Sequence, residues 1–179
     1  MTETQLAVPD VPATTAERTR TYSWEDPRVD PRALAGMTGQ DMFAAMSDGR
    51  LPRPPIMYTM DMNAVEVVRE GEVHVTLTPQ EFHYNPLGTV HGGYGATLLD
   101  SAMGCAVHST LNPGDIYTTL EFKINFVRAL THDTGPVRGI GTVINETRTT
   151  ALAEGRIEDG EGKLYAFATT TCVIRRATS

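Results

Sequence analysis

The chain has 179 residues, of which 40% are hydrophobic and 21% charged, and this composition is typical of one globular domain with a sizeable core. Its formal net charge of −7 argues against nucleic acid as a partner, because phosphate binding needs a basic surface. No apolar run is long enough to span a bilayer or to form a signal-peptide core, so we expect a cytoplasmic protein without membrane association.

Cysteine and histidine usage indicates neither a disulfide framework nor a metal site. Cys105 and Cys172 lie in apolar segments and are expected to be reduced core residues. Ligand-like spacing is absent among the five histidines, which are His74, His83, His91, His108 and His132. No nucleotide-binding glycine pattern and no serine-hydrolase motif is present, so we predict no metal and no cofactor.

The first half of the chain divides into a tail, a short helical region and a hairpin. Residues 1–30 are rich in Thr, Pro, Glu and Arg and predict a mobile tail, while residues 31–179 form the single domain. Apolar spacing between Pro31 and Asp48 predicts one or two short helices that stop at Gly49. The proline-rich run LPRPPI then predicts an extended connector. Alternating valines on either side of Glu70-Gly71 predict two antiparallel strands.

The residues from Gly92 to Val107 form the most informative segment. They are small or apolar on every side, which predicts a helix enclosed by protein, and Asp100 is the only residue there with a formal charge. A carboxylate taken out of water without a partner costs several kcal/mol. Asp100 is therefore either a catalytic group or a structural aspartate bonded to a neighbouring N–H.

The start of this helix predicts a site for an oxyanion. Gly92 and Gly93 let backbone N–H groups approach a ligand at the positive end of the helix dipole, with His91 beside them. Asp100 is about 12 Å along the axis from Gly92, too far for both to touch one small carbonyl. Two such helices packed antiparallel across a two-fold axis would bring the groups together, so we predict a homodimer with shared sites.

Four strands follow the helix. In IYTTLEFKINFVRAL, the residues Leu120, Phe122, Ile124 and Phe126 share one face and Thr119 lies on the other, which is typical of a half-buried strand. Three more strands follow, with turns at residues 147–149 and 159–162. The predicted fold is α+β, an antiparallel sheet of about six strands wrapped around one central helix.

The runs NPLGTVHGGYGATLLDSAMG, YTTLEFKINFVRAL and YAFATTTCVIRR resemble the PaaI-type acyl-CoA thioesterases of the hotdog fold. The resemblance covers about residues 45 to 176 and rests on an Asn, then His-Gly-Gly, then an Asp within the helix. It departs from the family at VRAL, where a proline commonly follows the arginine.

The resemblance implies roles for individual residues. Asp100 would be the catalytic carboxylate and the Gly92 N–H would polarise the thioester carbonyl, while His91 and Asn85 would line the pocket and Thr119 would orient water. Helix capping by His91, an Asx turn at Asn85 and plain strand propensity at Thr119 are the structural alternatives. Family members build each site from two subunits and often form tetramers.

The substrate side of the site is less defined by the sequence. Gly93 and Tyr94 are candidates for substrate binding, and Arg128 and Arg148 for the phosphates of CoA. Two further arginines near the C-terminus, Arg175 and Arg176, are also candidates. Two other functions stay open at this stage. One is a non-catalytic acyl-CoA binding protein, and the other is a hotdog hydratase or dehydratase.

Overall fold

The computed structural model describes residues 17–177. The predicted tail, residues 1–30, therefore lies partly outside the described residues, and its remainder, residues 17–30, contains no helix or strand. Arg20 nevertheless fixes this segment to the domain, since its guanidinium donates to the carbonyl oxygens of Tyr58 at 2.6 Å and Thr59 at 2.8 Å. Residues 17–30 thus run along the domain surface with at least one firm attachment.

Four helices are present in the described residues: α1 is Pro31–Leu34, α2 is Gly39–Ser47, α3 is Pro55–Thr59 and α4 is Gly92–His108. The side chain of Thr38 accepts from the N–H of Asp41 at the start of α2, and Asp41 accepts from the N–H of Thr38 in return. The extended connector predicted for residues 51–56 is wrong at its end, because α3 begins at Pro55. Proline is compatible with the first turn of a helix, where its missing N–H has no partner to lose.

The six strands form one sheet. They are β1 Met62–Arg69, β2 Glu72–Leu77, β3 Ile116–Phe126, β4 Val137–Glu146, β5 Thr150–Asp159 and β6 Leu164–Arg175. Their order is β1-β2-β4-β5-β6-β3, and every neighbouring pair is antiparallel. Gly71 makes the tight turn between β1 and β2 with a φ of 78°. The prediction of a hairpin, a long helix and four further strands is confirmed.

The sheet curls around α4, whose apolar residues fill the core. Leu98, Leu99 and Met103 are fully buried, and the inward faces of β2, β4, β5 and β6 pack against them. Strand β4 comes closest to the helix. A side chain at Gly141 would place its Cβ 2.2 Å from the carbonyl oxygen of Ala102, so only glycine permits this contact. The predicted hotdog architecture is confirmed.

Strand β3 contains a bulge that the alternation of its residues does not predict. Thr119 pairs with Cys172 and Glu121 pairs with Thr171, so Leu120 is an extra residue and is 61% exposed. The expectation that Leu120, Phe122, Ile124 and Phe126 share a buried face is therefore wrong for Leu120, and Phe126 is also exposed. The bulge turns Thr119 to the side of the sheet that faces α4.

Cys105 and Cys172 are free thiols, as expected from their apolar surroundings. In the described part of the chain, no helix is both long and apolar enough to cross a membrane.

Candidate functional site

Asp100 lies in the middle of α4 and is held by Thr119. The hydroxyl of Thr119 donates to a carboxylate oxygen of Asp100 at 3.0 Å, and both side chains are half-buried. The bulge at Leu120 makes this contact possible, because an unbroken strand with Phe122 inward would turn Thr119 outward. Asp100 is therefore neither solvated on an outer surface nor bonded to a backbone N–H of its own chain among the described residues.

Asp100 and Thr119 face a cavity of about 390 Å³. The cavity is lined by residues of β1 and β3, which are the two edge strands of the sheet, so it lies where the curled sheet leaves α4 uncovered. Helices α2 and α3, with the segment between them, supply the rest of its wall. From these elements come Phe43, Met46, Ser47, Arg53, Pro54, Ile56 and Met57.

A second cavity of about 370 Å³ lies at the N-terminus of α4. Its walls include His91 and Gly92, the loop that follows β3 with Arg128, and parts of β5 and β6. The ring of Phe126 lies over the first turn of the helix, since a Cβ on Gly92 would be 3.2 Å from its Cζ. The two cavities thus contain different predicted site residues: the helix start in one and the carboxylate in the other.

His91 caps the N-terminus of α4, the helix that carries both Gly92 and Asp100. Its Nδ1 accepts from the N–H of Gly93 at 2.9 Å, so that donor is used within the chain. The N–H of Gly92 has no acceptor among the described residues and borders the second cavity. Gly92 therefore offers the helix-start donor that a ligand oxygen can use, whereas Gly93 has its N–H committed to His91.

Asn85 organises the loop that precedes α4. Its side-chain oxygen accepts from the N–H of Leu87 at 2.8 Å and of Thr89 at 3.4 Å, while its Nδ2 donates to the Thr89 hydroxyl at 3.1 Å. This is the geometry of an Asx turn, the structural alternative to a pocket role for Asn85. Thr89 lines the helix-start cavity and Asn85 does not, so within one chain Asn85 acts on that cavity through the loop.

Tyr94 is part of the buried core near the start of α4. Its ring is 4% exposed and stacks on His83 with centroids 3.9 Å apart, and its hydroxyl donates to the Thr78 carbonyl at 3.3 Å. Burial raises the pKa of Tyr94 and lowers that of His83 to about 4. The pair is therefore a neutral aromatic contact that anchors the start of α4, and Tyr94 lines neither cavity.

The candidate arginines occupy three different environments. Arg128 lines the helix-start cavity and donates to the Leu164 carbonyl at 2.6 Å, with its side chain exposed. Arg148 is at the β4–β5 turn and lines neither cavity. Arg176 is engaged by Asp115 at 2.9 Å and Glu146 at 2.6 Å. Of these three, Arg128 is the one placed beside a candidate site.

Arg53 is a cavity residue that the sequence did not single out. It lines the same cavity as Asp100, and one of its nitrogens donates to the carbonyl oxygens of Met62 at 3.1 Å and Asn63 at 3.2 Å. It occurs in a proline-rich run that indicated only a connector. Arg53 reaches the cavity because this run packs against β1, and that tertiary contact is not contained in the sequence pattern.

The other reactive groups near Asp100 are held neutral. Cys105 lines the same cavity, and burial, together with the charge of Asp100, raises the pKa of its thiol to about 12. Burial likewise raises the pKa of Tyr117. A thiol that keeps its proton is a poor nucleophile, so Cys105 is not a candidate for nucleophilic attack. Within residues 17–177, no three His, Cys, Asp or Glu side chains are placed to hold a metal ion.

Comparison with known proteins gives a consistent assignment. The family model of the thioesterase superfamily matches residues 87–166, which include the helix start and Asp100. The 1,4-dihydroxy-2-naphthoyl-CoA hydrolase of Listeria monocytogenes is 25% identical over 109 residues, or 61% of this chain and 87% of that protein.

Among the solved structures that share the fold are proteins from Ralstonia eutropha JMP134 and E. coli. A phenylacetic acid degradation-related protein from Ralstonia eutropha JMP134 is 28% identical with a TM-score of 0.66, covering 73% of this chain and 98% of the other. The PaaI protein of E. coli is 19% identical with a TM-score of 0.66, covering 79% and 94% of the two chains. The chain thus has the fold of these proteins, and over residues 87–166 it matches the thioesterase superfamily.

Proposed function

We propose that the protein hydrolyses an acyl-CoA thioester to the free acid and CoA, with Asp100 as the catalytic carboxylate. The observation that carries the proposal is the position of Asp100. It is a carboxylate on an otherwise apolar helix, held by one hydroxyl and facing a cavity. The name of the Listeria relative, a hydrolase of an aromatic acyl-CoA, supports CoA as the thiol.

The chemistry proceeds in one of two ways. As a general base, Asp100 takes a proton from water, and the hydroxide attacks the thioester carbon. As a nucleophile, Asp100 attacks that carbon itself, and water then hydrolyses the mixed anhydride. In both routes the C–S bond breaks and the thiolate leaves to become the CoA thiol. Thr119 positions Asp100, and the hydroxyl remains close enough to orient the attacking water.

The oxyanion donor is the N–H of Gly92 of a second copy of the chain. The two groups are about 12 Å apart along one helix and border separate cavities, so one chain cannot apply both to a single carbonyl. Two copies related by a two-fold axis place each Gly92 beside the other copy's Asp100. A well-placed donor of this kind contributes about 3 kcal/mol to the transition state.

Strand β3 supplies a surface for this pairing. It is eleven residues long and is an edge strand, so one row of its backbone groups has no partner strand within the sheet. It also exposes Ile116, Leu120 and Phe126. Pairing of two β3 strands would continue the sheet across a homodimer, from which a tetramer can be built. In such an assembly Arg128 borders the entrance to the site and would hold a CoA phosphate.

Release of free thiol from a panel of acyl-CoA esters tests the proposal. Turnover of at least one ester by the wild-type protein, lost in Asp100→Asn, is the expected result. A non-catalytic acyl-CoA binding protein would bind the esters without releasing thiol. A hydratase or dehydratase would change the absorbance of an enoyl ester with the C–S bond intact.

A further inference from the structure

We infer that the acyl group of the substrate lies in the cavity beside Asp100, under helices α2 and α3, and that Met46 limits its size. This inference rests on the proposed function and specifies its substrate class. The acyl group is uncharged and apolar.

The walls of this cavity come largely from outside the family match. Residues 43–65 supply most of the lining, while the family model matches residues 87–166. Apolar side chains dominate that contribution. They are Phe43, Met46, Pro54, Ile56, Met57, Met62 and Val65. Asp100 therefore lies within the family match, whereas the surface next to it belongs to the N-terminal region of this chain.

The charges in the lining favour an uncharged acyl group. Besides Asp100, the charged side chain among the lining residues is Arg53, and one of its nitrogens is bound to the carbonyl oxygens of Met62 and Asn63. Arg53 thereby ties the segment before α3 to β1. An acyl group that carried a carboxylate would meet the negative charge of Asp100, which disfavours its binding.

Helices α2 and α3, which form this wall, are fixed to the rest of the domain by close contacts and hydrogen bonds. A Cβ on Gly39 would be 1.8 Å from the carbonyl oxygen of His108, so α2 meets the end of α4 at backbone contact. Gln40 donates to the Ser109 carbonyl at 3.3 Å, and Arg20 holds the end of α3. The cavity is therefore formed before substrate binds, which reduces the entropic cost of binding.

The size of the cavity sets the range of acyl groups. A cavity of about 390 Å³ has room for a saturated chain of medium length or for an aryl group with a short linker.

Met46 is the residue that controls this space. It lies on the last turn of α2, is half-buried and lines the cavity. Met42, one turn earlier on the same helix, contacts Nε2 of His108 through its sulfur at 3.4 Å and does not line the cavity. The two methionines therefore form a matched pair on one helix, of which Met46 lines the cavity and Met42 contacts the end of α4.

The experiment measures kcat/KM for saturated acyl-CoA esters from acetyl to myristoyl, with the wild-type chain and three variants. Met46→Trp reduces the cavity, so the ratio of kcat/KM for the longest accepted ester to that for a short ester falls about tenfold. Met46→Ala enlarges the cavity and raises this ratio for esters beyond the wild-type limit. Met42→Ala, the control on the same helix, leaves the ratio within about twofold of wild type.

Each outcome decides a separate point. Melting temperatures first establish that the variants are folded. If Met46→Trp does not fold, the length profile of Met46→Ala alone tests the inference. An unchanged length profile in a folded Met46 variant overturns the inference and leaves the proposed function intact. If the wild-type chain hydrolyses neither these saturated esters nor benzoyl-CoA and phenylacetyl-CoA, the proposed function fails and the inference falls with it.

Discussion

The hydroxyl of Thr119 donates a hydrogen bond of 3.0 Å to the carboxylate of Asp100, and a bulge in the edge strand makes this contact possible. This hydrogen bond restricts the orientation of the Asp100 side chain. The contact also leaves the rest of the carboxylate facing the cavity. Residues from the two consecutive elements α4 and β3, 19 positions apart in the sequence, are thereby coupled in one site.

Replacement of Asp100 by Asn tests the role of the carboxylate. The amide keeps the shape of the side chain but neither accepts a proton from water nor attacks the thioester, so we expect kcat to fall at least about a hundredfold. Thiol release under saturating substrate measures this change. Asp133→Asn, on the surface outside both cavities, serves as the control and should stay close to wild type. Near wild-type turnover by a folded Asp100→Asn protein would exclude the carboxylate from the chemistry.

Thr119→Val examines the positioning of Asp100. Loss of a hydrogen bond to a charged group is worth about 1.5 kcal/mol, so we expect kcat to fall about tenfold with little change in KM. Thr119→Ser restores a hydroxyl at the same place and should recover most of the rate. Equal losses in the Val and Ser variants would show that the methyl group matters and that the hydroxyl does not.

The contact between β4 and α4 predicts a large effect on stability. Gly141→Ala would place a Cβ 2.2 Å from the Ala102 carbonyl oxygen, where backbone on both sides resists movement. We expect the free energy of unfolding to fall by at least about 3 kcal/mol, measured by urea denaturation. Gly160→Ala is the control because its Cβ meets no atom within 4 Å. Similar midpoints for both variants would contradict the close packing of helix and sheet.

Arg176 joins the C-terminus to the rest of the domain and gives the stability a pH dependence. The N–H of Ala177 and the Arg176 guanidinium hold the pKa of Asp115 below its ordinary value. A carboxyl group with a depressed folded-state pKa stabilises the fold above its unfolded pKa of about 3.9, and this contribution is lost as the pH falls through the folded-state value.

Asp115→Asn should therefore lower the free energy of unfolding by about 2 kcal/mol at pH 7. The difference from wild type should shrink as the pH is lowered from 6 towards 2, because the wild-type carboxyl then becomes protonated as well. Urea denaturation across this pH range measures both quantities. A difference that stays constant throughout would show that the charge of Asp115 contributes nothing.

The sequence predicted the fold because its local patterns agree with the global architecture. Val73, Val75 and Leu77 alternate with polar residues and lie in the buried face of β2, and the uniformly apolar stretch around Leu98 is the enclosed helix. Both features repeat over many residues. These sequence patterns therefore remain recognisable when a single position departs from them.

The details of the site depend on tertiary contacts that a pattern does not contain. The bulge at Leu120 reverses the facing of Thr119, and nothing in the alternation of β3 marks it. The cavity wall at Met46 requires α2 to dock on the end of α4 through Gly39, a contact between segments about seventy residues apart. Arg176, a candidate for phosphate binding on sequence grounds, is instead committed to Asp115 and Glu146.

The most direct test of the shared site is a mixture of two inactive variants, Asp100→Asn and Gly92→Pro. Proline removes the N–H at a helix position that tolerates it, and Gly92→Ala, which keeps the N–H but adds the same Cβ, is the control. After unfolding and refolding together, half of the dimers are mixed and each has one intact site, so we expect about a quarter of wild-type thiol release. If the mixture is no more active than its two components, the two groups do not meet across a subunit interface.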